Sequence, residues 1–535
     1  MRTLAALAAL LALGAAPAHA ARGLAPPPLP GPRALQAIAA HGPVLVQLKA
    51  GSGAFALQAA GGTVVSPALR LWKVPGAAAA ALVPRLAAAA AVSAVEPDRR
   101  MLSPFAVRDD VPDPLVSTEW WIPRIGADTV VAPGPGVPVT VIDAGLDMTH
   151  PEFVSRPNTS VLNAQTVLGQ DDAHGTAVSS VVAAPANGVG VVGVYPQAVL
   201  RAFDSSPSDA IDEAAVIQGI TEASLAGRGV INLSLGGPDQ SFFMEQAIVL
   251  AFGRGTITVA AAGNEFQNGN PLSFPADDPH VLTVAATTQD DKPAAFSSAS
   301  SAVDLAAPGV DIPIAVPLVD DPTGYSTGAG TSFSSPLVAG ATAWVWTVRP
   351  TLQTTQVYDL MRWSAKDIWD TGWDKDTGFG LLNIPGALTA SPPPIDPQEP
   401  NDDLDQVRAH GLFPVAKPLV KGTFKARVDY TDDPEDVYRV NVPAHSTVTV
   451  TMKPDANVTL ELWGPRTQTV DENGSDRRRD LLGIDAKPGT QAETIRWTNG
   501  GKKAIVVYPD VYFPVGSAAL EAGYALTVKT ARARP

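Results

Sequence analysis

Cysteine is absent from all 535 residues. That excludes disulfides, thiolate metal centres and lipid attachment through cysteine. Basic residues are scarce: 38 Lys and Arg stand against 53 Asp and Glu, for a net charge of −15. This balance excludes nucleic acid as a partner, and Arg477-Arg478-Arg479 is a short, mixed surface run. Nor is there an uninterrupted apolar run long enough to span a membrane. The segment from Ala77 to Ala94 comes nearest, but Pro84 and Arg85 interrupt it, and it reads as an amphipathic helix. What remains, 45% hydrophobic and 17% charged, is globular, and the length calls for three or four folded units.

The chain opens with Arg2, an apolar run from Leu4 to Leu13 and Ala18-His19-Ala20. These are the parts of a signal peptide, residues 1–20, cut after Ala20. Its product is expected to be secreted, extracellular or periplasmic. A Pro-rich lead over 21–33 precedes a small α+β unit, with strands at 44–48, 71–74 and 92–96 and a helix at 81–91. From 138 onward the pattern alternates strand-like runs (138–143, 198–203, 229–235, 256–262, 281–286) with small-residue helices (177–184, 211–225, 242–253, 334–347). Such alternation predicts an α/β fold, a parallel sheet with helices on both faces. The Pro-rich stretch 391–400 is a stiff linker. Beyond it the period becomes two, at 438–442, 447–451, 458–462, 504–508 and 524–528, which describes a β-sandwich.

Four residues at strand or helix ends carry the chemistry. Asp143 ends the run Val139-Thr140-Val141-Ile142, and His174 opens a small-residue helix. Asn264 follows Ala260-Ala261-Ala262-Gly263, and Ser332 sits in Gly330-Thr331-Ser332 at the start of a buried helix. Each alone is an ordinary cap or turn residue. Together, 31, 90 and 68 residues apart, they form a set for acyl transfer. Ser332 would be the nucleophile, His174 the general base, Asp143 the group that orients the imidazole, and Asn264 a donor to the oxyanion. Asp171-Asp172 before the histidine either raise its pKa or form a solvated turn.

The motifs Val141-Ile142-Asp143-Ala144-Gly145, His174-Gly175-Thr176, Ala262-Gly263-Asn264-Glu265 and Gly330-Thr331-Ser332 with Pro336 resemble the four signatures of subtilisin-like serine peptidases. Asn232-Leu233-Ser234-Leu235-Gly236 resembles that family's substrate-binding strand, and the likeness extends over roughly residues 113–388. It implies an Asp143-His174-Ser332 triad with Asn264 at the oxyanion. Ser234, Leu235 and Gly236 would form the edge that pairs with substrate. Ala262 and Gly263 would line the pocket, and Glu265 would favour basic or polar groups in it. No cofactor is required for the chemistry. A structural calcium is implied at the Gly-rich loop from Asn187 to Gly193, with Glu152 supplying a carboxylate. Four positions depart from the family pattern: Ala144 lacks the usual hydroxyl beside the Asp carboxylate, Ala177 and Leu337 replace supporting histidines, and Phe333 replaces a methionine.

The implied precursor has a signal peptide (1–20), an inhibitor-like propeptide (21–112), a subtilisin-like domain (113–390), the linker (391–400) and a C-terminal β domain (401–535). The propeptide cut is expected between Arg99 and Val111. The last domain is similar to the bacterial pre-peptidase C-terminal domain at Glu399-Pro400-Asn401-Asp402 and at Asp436-Val437-Tyr438-Arg439-Val440. Polypeptide substrates and the chain's own propeptide, as intramolecular inhibitor, are the expected partners of a monomer. A peptide cyclase or transpeptidase on the same scaffold, and a non-catalytic secreted binding protein, are the alternatives.

Overall fold

A computed structural model describes residues 42–101, 107–108, 115–165, 173–206, 210–471, 474–514, 517 and 519–533, with a few positions between 29 and 39. The signal-peptide stretch, Asp171-Asp172 and much of the 99–111 stretch expected to hold the propeptide cut lie outside the described residues. Two compact units emerge: residues 23–400 with 408–416, and residues 401–407 with those from 417 onward.

The first unit begins with β1 (Val44–Leu48), α1 (Phe55–Ala59), β2 (Thr63–Ser66), β3 (Leu71–Val74), α2 (Gly76–Ala88) and β4 (Val92–Pro97). The strands form an antiparallel sheet in the order β2-β3-β1-β4. Strand alternation divides its side chains between two faces. Val44, Val46 and Val74 pack with Ala79 and Val83 of α2. On the other face Leu45, Leu71 and Ala94 join an apolar cluster with residues further along the chain, including Ile217 and Ile248. The helix expected at 81–91 starts five residues earlier, because the alanine run after Pro75 is itself strongly helix-forming.

The larger part of this unit holds β5 (Val139–Asp143), β6 (Thr159–Val161), α3 (Ala173–Ala183), β7 (Leu200–Asp204), α4 (Glu213–Leu225), β8 (Gly229–Leu233), α5 (Phe242–Gly253), β9 (Thr256–Ala261), β10 (Val281–Thr287), β11 (Val303–Pro308), α6 (Thr331–Val348) and α7 (Thr354–Trp363). Seven strands lie in the order β11-β10-β9-β8-β5-β7-β6, all parallel. Every residue of β5, β8, β9, β10 and β11 is buried, as a sheet covered on both faces requires. Strand order reverses between β5 and β8. The carboxyl ends flanking such a switch point form the crevice where α/β sheets bind ligands. Asp143 ends β5, Ser234 follows β8, and Asn264 lies three residues past β9.

β1 to β4 dock on the starts of two helices. Glu96 accepts hydrogen bonds from Ser241 Oγ (3.0 Å) and the Phe242 N–H (3.3 Å) at the start of α5. Asp98 accepts from the Ala214 N–H (3.2 Å) at the start of α4. Carboxylates at helix N-termini meet orphan N–H groups and the positive end of the helix dipole.

The second unit holds β12 (Gly422–Asp429), β13 (Glu435–Val437), β14 (Val440–Val442), β15 (Ser446–Pro454), β16 (Thr459–Trp463), β17 (Leu481–Asp485), β18 (Glu493–Asn499), β19 (Ile505–Tyr512) and β20 (Glu521–Arg532). Antiparallel sheets β12-β20-β15-β18 and β13-β19-β16-β17, with β14 on β19, enclose a core that includes Val428, Val450 and Leu526 from one and Leu460 and Val507 from the other. This agrees with a β-sandwich. Of the strand expected at 438–442 only Val440–Val442, β14, is strand, while β12, β13, β17 and β18 were not anticipated. Among the described residues no helix is long and apolar enough to cross a membrane.

Candidate active site

The switch point brings the sequence-marked residues together. Asp143 and His174 are both about 1% exposed. Asp143 Oδ1 accepts a hydrogen bond from the Ala144 N–H (2.7 Å) and lies 2.7 Å from His174 Nδ1. That contact makes Nδ1 the protonated nitrogen and leaves Nε2 as the basic one. The other carboxylate oxygen, Oδ2, has no hydrogen-bond partner among the described residues, consistent with alanine at 144.

His174 is the second residue of α3, which starts at Ala173 and not at 177. Gly175 explains the close docking of this turn. A Cβ there would lie 2.1 Å from the Gly145 carbonyl oxygen, so only glycine lets α3 reach the end of β5. Phe333 packs its ring against His174, with centroids 6.1 Å apart. Room for it comes from Gly328, whose Cβ would stand 2.3 Å from the Phe333 ring. Ala177 and Leu337 are fully buried core residues.

Ser332 is the second residue of α6, a helix that begins at Thr331 and not at 334. Pro336 lies inside this helix and has no N–H to return to the Ser332 carbonyl. Ser234 Oγ donates to that carbonyl instead, at 2.8 Å, while Ser332 Oγ donates to the Ser234 carbonyl at 3.3 Å. Asn264 is held by its neighbour: the Thr331 N–H and Thr331 Oγ1 both donate to Asn264 Oδ1 at 2.9 Å. Its Nδ2 is thereby turned toward Gly330, where an added Cβ would come within 3.3 Å of it.

A cleft of about 190 Å3 joins these segments, lined by Ser234, Leu235, Gly236, Gly263, Asn264 and Ser332, with Glu265 among its other lining residues. Ala262 does not line it. Strand alternation turns Ala262 into a buried cluster with Ala285 and Val303, and Ala261 lines the cleft in its place.

The Gly-rich loop holds Glu152 as expected. Glu152 Oε1 accepts from the Val191 N–H and the Tyr325 hydroxyl, each at 3.0 Å. Burial pushes its carboxyl up to about 7, against the pull of those donors. Asn187 presents its amide N–H to Glu152 Oε2 at 3.4 Å and spends its Oδ1 on the Val189 N–H, so in this arrangement it is a donor and not a ligand. Sequence reasoning missed Glu119. Its Oε1 accepts from the Val192 N–H at 2.9 Å, and its buried Oε2 has no partner among the described residues. Burial, with the nearby Glu152 charge adding to it, pushes Glu119 up to about 8.

Comparison with known proteins agrees with this geometry. Residues 134–380 match the Subtilase family. Subtilisin DY from Bacillus licheniformis is 35% identical over 274 residues, which cover 50% of this chain and 97% of that protein. Subtilisin amylosacchariticus from Bacillus subtilis subsp. amylosacchariticus is 37% identical over 262 residues; the match takes in 48% of this chain and spans 66% of that relative's length. Among solved structures, fervidolysin from Fervidobacterium pennivorans, described as a keratinolytic enzyme related to subtilisin, superposes with a TM-score of 0.57 at 20% identity. The match covers 90% of this chain and 91% of that one, a likeness of fold.

Proposed function

The chain belongs to the subtilase family, and from that premise we propose that it is a secreted serine endopeptidase made as a self-processing precursor. The observation that supports this most is the 2.7 Å contact between Asp143 and His174, at the same switch point as a cleft lined by Ser332 and Asn264. In the proposed reaction, Ser332 Oγ attacks the carbonyl of a peptide bond and its proton passes to His174 Nε2. Asp143 holds Nδ1–H and stabilises the imidazolium. The oxyanion is met by Asn264 Nδ2 and the Ser332 N–H at the head of α6. His174 then gives the proton to the leaving amine, and the C–N bond breaks to leave an acyl-Ser332 ester. Water, deprotonated by the same histidine, releases the acid and restores the serine.

The N-terminal unit reads as an inhibitory propeptide. Glu96 and Asp98 sit at the starts of α5 and α4, and the segment that follows is bound by strand pairing on both flanks. Arg100–Met101 pairs antiparallel with Ile211–Asp212, and Val107–Arg108 with Thr327–Gly328, four residues before Ser332. These flanks favour a cut between Met101 and Val107. The stretch 1–20 acts as the signal for export, and the second unit is an accessory domain like the bacterial pre-peptidase C-terminal kind. The residues at the Gly-rich loop fit a calcium ion. Glu119 and Glu152 are the carboxylates that would hold it, and the orphaned Glu119 Oε2 supports that fit. The ion would brace the loop and take no part in the chemistry.

The test is Ser332→Ala together with a fluorophosphonate label. The wild-type protein should be labelled at Ser332, cleave peptides and shed its N-terminal unit. Ser332→Ala should do none of these, losing roughly 10⁶-fold in turnover, the size measured for this change in subtilisin. Maturation of the purified variant without another protease present would exclude self-processing.

A further inference from the structure

Beside the Ser332 cleft lies a smaller depression of about 30 Å3, and the two share Gly237 and Pro238 as lining residues. Glu213, the first residue of α4, lines it together with Asp239, Ser241 and Met244. Glu213 is 1% exposed, and its Oε1 has no hydrogen-bond partner among the described residues. Burial pushes its carboxyl up to about 7, with Ser241 and Arg99 pulling the other way. A buried carboxylate in such a place needs either a proton or a cation.

The cation at this spot comes from the chain's own N-terminal unit. Arg99 also lines the depression, with Nη1 3.9 Å from Glu213 Oε1 and 3.8 Å from Glu96 Oε2. Its backbone is docked as firmly. The Arg99 N–H donates to Glu213 Oε2 at 3.0 Å, and the Glu213 N–H donates to the Arg99 carbonyl at 3.2 Å. Arg100–Met101 then continues as an added strand along Ile211–Asp212. This is how an extended peptide binds a sheet edge, with backbone bonds for affinity and side-chain pockets for selectivity.

Chain direction gives the side. The segment runs from Glu213 toward the strand that leads into Ser332, so Arg99 is N-terminal to whatever bond is presented there. With that bond between Met101 and Val107, Arg99 stands three to eight positions before it. Departure of the N-terminal unit would also take away Arg99 and the Lys73 that pairs with Asp98 and Asp212, the cations facing this rim among the described residues. Asp212, Glu213 and Asp239 would remain, with the fully buried Asp278 adding its field to that of Glu213.

We infer that Glu213 and Asp239 form an upstream subsite that selects a basic side chain, arginine above all, in the polypeptide substrate. The inference rests on the endopeptidase reading and adds a substrate class to it. A guanidinium suits the place because it satisfies carboxylate oxygens with more than one N–H and never loses its charge.

The experiment uses full-length protein that has processed itself. Peptides carry arginine at one of the positions three to eight before a common cleavage site, each paired with the same peptide carrying citrulline, a neutral isostere. At one position arginine should raise kcat/KM by about tenfold over citrulline, and Glu213→Gln should bring that ratio close to one. A ratio near one at every position in the wild type would overturn the subsite and leave the peptidase reading standing, since the citrulline peptides are still cut. A ratio that survives Glu213→Gln would also overturn it. Should Glu213→Gln fail to fold, Asp239→Asn on the exposed rim must lower the ratio, and an unchanged ratio would count against the inference. If no peptide of either kind is cut, the endopeptidase reading itself falls.

Discussion

Removing one buried hydroxyl, in Ser234→Ala, should disturb the backbone of Ser332, the proposed nucleophile. Ser234, Asn232 and Ser335 are all fully buried. Asn232 Nδ2 donates to Ser234 Oγ at 2.9 Å, Ser335 Oγ donates to Asn232 Oδ1 at 3.0 Å, and Ser234 Oγ donates to the Ser332 carbonyl at 2.8 Å. The alanine takes a donor from that carbonyl and an acceptor from the Asn232 amide. Each buried polar group left short costs about 1–3 kcal/mol, so the pair should cost about 2–4 kcal/mol. In a unit of about 390 residues that lowers Tm by roughly 3–5 °C. Calorimetry in a Ser332→Ala background avoids self-digestion and keeps the backbone carbonyl in question. A second substitution then tests the cause. Pro336→Ala supplies the missing N–H one turn on, and the cost of Ser234→Ala should shrink by about 1 kcal/mol in that background. A Tm unchanged to within about 1 °C, or an equal cost in both backgrounds, would refute the claim that Ser234 stands in for the donor that Pro336 lacks.

Two further outcomes follow from the site. Asn264→Ala should lower turnover about 10² to 10³-fold, the size found for the matching donor in subtilisin, with little change in KM; a loss explained wholly by a lower Tm would make Asn264 a turn residue. Glu119 and Glu152 titrate near 8 and 7 when folded, against an ordinary 4.5. Carboxyls with raised folded pKa values bind more protons folded than unfolded. In a chelator their contribution to stability is therefore retained at low pH and lost as pH rises from about 4.5 through 7 and 8. Calcium should recover Tm at pH 8 far more than at pH 5, and Glu119→Gln should reduce that recovery. Calcium-independent Tm values at pH 8 would remove the ion from the reading.

Where a residue's role was set by its neighbours in sequence, it was legible; where it was set by a partner far along the chain, it was not. Helix α5 runs over 242–253 as read, because Ser241 caps one end and a glycine closes the other. Asp143, Asn264 and Ser332 were visible because each follows a buried strand or opens a buried helix beside glycine. The starts of α3 and α6 were misplaced by three or four residues, because docking and not propensity sets them, as the clash of a Cβ at Gly175 with Gly145 indicates. Ala261 and Ala262 could not be told apart, since one residue of register decides which faces the cleft. Glu119 and Glu213 carry no local signal at all. The N–H that binds Glu119 is 73 residues away, and the arginine backbone docked on Glu213 is 114 residues away. Both are carboxylates buried where a cation is wanted, and that property exists only once distant segments have met. The local code therefore delivers the residues proposed to break the peptide bond. The residues proposed to brace the site and select its substrate are written in the packing.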